Sequence, residues 1–163
     1  MIIMGIDPGY ATIGYGVIDK QRNTIVPIDY GVVTTPKTEG MPVRLAMIDE
    51  QIIALIKKYK PDAIAVEELF FNTNITTGIK VAQARGVIMV CAVKECGHLF
   101  EYTPLQIKQA LTGNGRAEKA QIQFMVRALL GLREIPKPDD AADALAAAIC
   151  HANTNSYSQR IME

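Results

Sequence analysis

Three places in this chain carry carboxylates where carboxylates are costly. Asp7 follows the apolar run of MIIMGIDPGYATIGYGVI and precedes a Pro-Gly turn. Glu67 ends the run in DAIAVEELF, and Asp139, Asp140 and Asp143 cluster in PDDAADALAAAI. A carboxylate at the end of a buried strand is unfavourable unless something pairs with it, and no cationic residue stands beside any of these. A shared hard cation with oxygen ligands, Mg²⁺ or Mn²⁺, answers that need better than a soft metal. Three or four carboxylates around two ions roughly 3.5–4 Å apart hydrolyse phosphodiesters, one ion preparing the water and the other stabilising the leaving oxygen. Each acid also has a plainer reading. Asp before Pro-Gly serves turns, acids in a first helical turn serve as caps and dipole partners, and Glu67-Glu68 fits a solvated strand end. Their joint occurrence beside apolar sequence favours the site.

The elements that must position these groups can be read from the pattern. Met1 to Ile6 is expected as a buried strand, Ala11 to Ile18 as a second, and Thr24 to Val33 as a third, with residues 19–23 as a polar hairpin loop. Pro27 inside the third strand predicts an edge position. Leu45, Ile48, Ile52, Leu55 and Ile56 follow the helical period until Lys60-Pro61 ends it. Ala63 to Val66 forms the fourth strand and delivers Glu67. Asn74 to Glu95 reads as a long helix capped near Gly97, and His98 to Tyr102 as the fifth strand. Thr103-Pro104 starts a helix, Ala117 to Leu130 forms another, and Asp139 to about Ala152 the last. The order predicts one α/β domain over residues 1–152 and a polar tail over 153–163.

In this arrangement Asp7 and Glu67 are neighbours if their strands are adjacent and parallel. Asp140 and Asp143, three apart, share a helix face, but so do Asp139 and Asp143. Spacing leaves that choice open. The stretch Val87 to Val93 is apolar on all sides of its helix, so a second surface besides the sheet must cover it. A second copy of the chain is the expected cover.

Composition narrows the class further. A length of 163 residues with 49% hydrophobic content fits a folded domain rather than a disordered chain. The opening apolar run lacks the basic flank of a secretion signal, and no stretch is expected to approach the ~18 apolar residues of a membrane span. Cys91, Cys96 and Cys150 form no C-x-x-C pair, and their odd number and irregular spacing read as reduced, mostly buried thiols of a cytoplasmic protein. His98 and His151 are too scattered for zinc. Net charge is zero, yet residues 80–133 hold eight basic residues against three acidic ones. With four acids committed to metal, 17 basic residues face 13 others, which leaves room for a polyanionic partner.

The ordered set GIDPGYATIGYGV, IAVEELFF, AQARGV, QIKQALTGNGRAEKAQIQ and DDAADALAAAI resembles the RuvC family of Holliday junction endonucleases, from residue 1 to about residue 152. The resemblance implies a ribonuclease H-like fold, a five-stranded mixed sheet flanked by helices. It also implies a homodimer that makes paired, Mg²⁺-dependent nicks in four-way junction DNA during recombination and repair. Two ions per site are expected, with Mn²⁺ as a substitute, and branch-migration motor proteins as further partners. The family pattern puts the ligands at Asp7, Glu67, Asp140 and Asp143. It leaves Asp139 out of register with D-A-A-D-A-L, and Glu68 at a position that is not acidic throughout the family. It puts Phe70 beside the site, where an aromatic ring stacks on an unpaired base. Lys108 and Lys119 fall near the scissile phosphate, with Arg85 and Arg116 as weaker DNA contacts. The tail SYSQRIME carries one arginine, unlike relatives with a basic extension. The first motif also resembles the phosphate loop of actin-like ATPases and sugar kinases, but this chain is about half the size their two lobes require. A junction-binding module without catalysis would lack carboxylates that are present here.

Overall fold

Strand β1 (Ile2–Asp7) is apolar up to Asp7 because it lies in the middle of the sheet and both of its faces are covered. The computed structural model describes residues 1–68 and 74–154. β2 (Thr12–Gln21) and β3 (Thr24–Thr34) continue antiparallel from one side of β1, while β4 (Ala63–Glu67) and β5 (Leu99–Tyr102) run parallel to it on the other. The order is β3-β2-β1-β4-β5, a mixed five-stranded sheet as expected. β3 is indeed an edge strand. Pro27 pairs with Ile18 beside a register shift, where its missing N–H costs the ladder least.

Helices α1 (Met41–Tyr59) and α2 (Ile75–Glu95) cover one face, and α3 (Pro104–Thr112), α4 (Lys119–Leu130) and α5 (Asp139–Asn153) the other. The alternation of side chains along β1 sorts them. Met4 and Ile6 pack against Ile48, Ile52 and Ile88, whereas Ile3 packs with Leu145 and Ile149. Asp7 shares the parity of Ile3, and Glu67 that of Ala63 and Ala65, so both acids belong to the α5 face.

Several boundaries differ from the pattern reading. β2 runs on to Gln21, which shrinks the hairpin loop to Arg22-Asn23, with Arg22 in the left-handed region at φ 48. α4 starts at Lys119 rather than Ala117, because the Gln121 Oε1 accepts the Glu118 N–H at 2.8 Å and fixes the cap there. α3 begins as expected, with Thr103 and Gln106 exchanging side chain–backbone bonds of 3.1 and 2.8 Å.

The expectation for α2 needs two corrections. Over an 18-residue window its mean hydropathy reaches 1.2, so by length and composition it does meet the measure of a membrane span. Lys80 and Arg85 interrupt it, and Ala84, Ile88, Cys91 and Ala92 pack into the core. The sequence leaves its partner-facing side unassigned, with Ile88, Met89 and Cys91 as the positions to try. Ile88 and Cys91 face the sheet, and the exposed apolar side chains are Ile75, Ile79, Val90 and Val93.

Candidate active site

The site is built by a close helix–sheet approach. α5 is rich in alanine, and it lies over glycines on β1 and β2. A Cβ at Gly5 would stand 1.9 Å from the Ala144 carbonyl oxygen, and one at Gly14 would stand 1.9 Å from that of Asp140. Gly14 is the cross-strand partner of Asp7. The missing side chain beside Asp7 is therefore the space that the backbone of Asp140 occupies. On the other side of β1, Ile6 pairs with Val66, which puts Glu67 level with Asp7 one residue further along two parallel strands.

The four carboxylates feel one another. Burial, then Asp143, Glu67 and Asp140, push the Asp7 carboxyl up to about 8, while Lys119 opposes the rise. Glu67 is raised by burial and by Asp143, against Lys108 and Lys119. Asp143 is raised by burial, with Lys119 opposing and Asp139 and Asp140 adding to it. Lys119 answers this field. Its Nζ stands 3.3 Å from both Asp139 and Asp143, and although its partial burial pulls the other way, these acids hold its pKa above the ordinary lysine value. A cleft of about 200 Å³ opens here, lined by Glu67, Asp143, Lys108 and Lys119 over a floor that includes Ile107 and Ala146.

Among the described residues, no three His, Cys, Asp or Glu side chains stand close enough together to enclose an ion as they are. The donor chemistry nevertheless fits a hard cation. The acids offer only oxygen, and the buried ones raise each other's proton affinity, so positive charge is what the cluster lacks.

The other expected contacts divide. Lys108 and Lys119 line the cleft, and Arg116 is exposed in the α3–α4 loop, its N–H bonded to Asn114 Oδ1 at 3.0 Å. Arg85 does not join them. It pairs with Glu101 of β5, and its side chain is only 15% exposed, so its charge is already matched inside the protein. Phe70 lies outside the described residues. Sequence reasoning missed Arg44, buried on α1, which braces the loop after Asp7 through Thr35 Oγ1 at 2.8 Å and the Tyr10 carbonyl at 3.4 Å. The signal was there: Arg44 stands four residues before Ile48 on the apolar stripe of its helix.

Comparison with known proteins bears on this geometry. The family model "Crossover junction endodeoxyribonuclease RuvC" matches residues 3–151. A protein of that name from Desulfitobacterium hafniense is 57% identical over 162 residues, covering 99% of this chain and 98% of the relative. The structure of Thermus thermophilus RuvC superposes with a TM-score of 0.86 at 37% identity, covering 93% of both chains. The same organism's RuvC in complex with Holliday junction substrate gives 0.84 at 35%, again over 93% of each.

Proposed function

The chain belongs to the RuvC family of crossover junction endodeoxyribonucleases, and from that premise we propose that it resolves four-way DNA junctions with Asp7, Glu67, Asp140 and Asp143 as ligands of two Mg²⁺ ions. One observation carries the reading. Burial, then the charges of Asp143, Glu67 and Asp140, push the Asp7 carboxyl up to about 8, so the strand-end acids and those of α5 share one field. Bound there, Mg²⁺ (or Mn²⁺) supplies the positive charge that prepares water for attack and stabilises the leaving oxygen. The protein's own groups then orient the strand. Lys108 and Lys119, on the cleft wall beside Glu67 and Asp143, neutralise the phosphate being cut. Phe70 is the stacking residue for a base near the crossover, and Arg116 an outer phosphate contact.

The functional unit in this reading is a two-fold dimer through the outer side of α2. Ile79, Val90 and Val93 leave an apolar stripe there, and Gly86 has open space around its Cβ position, so another helix could approach closely. An isologous pair gives two identical sites for two symmetric nicks. Family membership further implies branch-migration motor proteins as partners and the cytoplasm as compartment.

The test is Asp7→Asn, assayed on a synthetic four-way junction and a linear duplex with and without Mg²⁺. The near-isosteric amide should retain junction binding and lose most cleavage. Wild-type nicking by this variant, or undiminished cleavage by the unmodified protein in EDTA, would overturn the assignment.

A further inference from the structure

On the α1/α2 side of the same sheet edge, two cations share one aromatic ring. The Arg44 guanidinium carbon lies 4.9 Å from the centroid of Tyr10, and Lys80 Nζ lies 5.6 Å from it, both within cation–π range. Arg44 is 8% exposed, and among the described residues neither cation has a carboxylate partner. Its Nε and Nη2 brace Thr35 and the Tyr10 carbonyl. Its Nη1 makes no hydrogen bond to a described residue. A buried cation is normally matched by an acid. Two like charges on one ring, unmatched, are what an anion between them would reconcile.

Their place gives the anion its identity. Tyr10 is three residues after Asp7, so its Cα lies within about 11 Å of that ligand. Measured along the duplex axis, at roughly 3.4 Å per nucleotide of one strand, that is about three nucleotides. Lys108 and Lys119 stand on the α5 face of the edge, Arg44 and Lys80 on the opposite one. We infer that Arg44 and Lys80, gathered on Tyr10, form a second phosphate site that grips a DNA strand within about three nucleotides of the cut. The inference rests on the junction-cleaving reading, because the ligand is that substrate's backbone. A purely structural brace explains the bonds to Thr35 and Tyr10, but not the second cation, Lys80, on the same ring.

The experiment measures junction binding by the full chain in EDTA across a salt series. Lys80→Ala should flatten the dependence of log affinity on log salt by about 0.9 for a lost duplex contact, with an unchanged melting temperature. Arg44→Lys, if folded, should flatten it likewise. Junctions carrying a neutral methylphosphonate one, two or three nucleotides from the cut supply the second arm. At one of these positions the unmodified protein should lose affinity, and Lys80→Ala should lose no more, because protein and phosphate changes remove the same contact. An unchanged slope for Lys80→Ala, or additive losses at every position, overturns the inference. Failure of the unmodified protein to bind the junction would instead overturn the functional reading beneath it.

Discussion

α5 and α2 are both apolar helices packed on one sheet, and they use that character in opposite ways. Every residue of α5 from Ala144 to His151 is buried, and its alanines let it sit almost on the backbone of β1 and β2. α2 buries a narrower stripe and leaves Val90 and Val93 half exposed. Hydrophobic content alone would rank them together. The difference lies in how they are covered: α5 lies over the glycines of two strands, while α2 packs on the sheet along one side and exposes Ile79, Val90 and Val93 on the other. Close approach fixes positions to a fraction of an ångström, which carboxylates at a metal site require. An uncovered apolar stripe fixes nothing until something docks on it.

The largest effect should come from breaking the first arrangement. Gly14→Ala puts a methyl group 1.9 Å from the Asp140 carbonyl oxygen, which is backbone and cannot rotate away. α5 must shift at the end that carries Asp140 and Asp143. We expect a loss of about 1–3 kcal/mol in denaturant unfolding, and junction nicking reduced by about a hundredfold for a misplacement near 1 Å. Unaltered nicking with unaltered stability would show that the close approach is not what positions the acids.

The corresponding break on α2 should spare the monomer. Val90→Glu adds a charge at a half-exposed position, so it should change the stability of the single chain by less than about 0.5 kcal/mol. If the unmodified chain sediments as the proposed dimer, this variant should sediment as a monomer at micromolar concentration, and paired cuts should give way to single ones. A Val90→Glu dimer with normal paired nicking would move the interface elsewhere.

A pH-dependent effect on stability, with the smallest expected effect on nicking, sharpens the contrast at the far end of α5. His151 is buried, stacked 4.3 Å from Phe100 and bonded through Nδ1 to the Tyr102 hydroxyl at 2.7 Å. Burial pushes its pKa down from 6.5 to about 4. The folded state thus holds a neutral ring that the unfolded chain protonates more readily. The contribution is fully present above about pH 6.5 and is lost as pH falls toward 4, on the order of 1–3 kcal/mol. His151→Gln should remove that component, read as the difference between the two proteins' denaturant midpoints across this range. Parallel pH profiles would refute it.

Much of this was legible in the residues. The strand ends of Asp7 and Glu67, the edge position announced by Pro27 and the capped start at Thr103 follow from local chemistry that the fold respects. Other features were not local. Gly14 reads as one more glycine in a strand until α5 is seen above it. The free side of α2 could not be chosen from a stretch apolar all round, since only the sheet decides that Ile88 turns inward and Val90 outward. Arg85 looked like a free cation because Glu101, its partner, is sixteen residues away on another element. Choosing Asp140 over Asp139 needed the family pattern. In the structure Asp139 lies on the outer side, 48% exposed and held by Lys119 and Gln123.

The order of the elements along the chain has a consequence in time. Asp7 and Glu67 belong to the first 67 residues, whereas Asp140 and Asp143 arrive only with the last helix. A chain still being made holds half of the carboxylate set and has no α5 to complete it. On the proposed ligand set, synthesis from the N-terminus therefore leaves the site incomplete until α5 has been made.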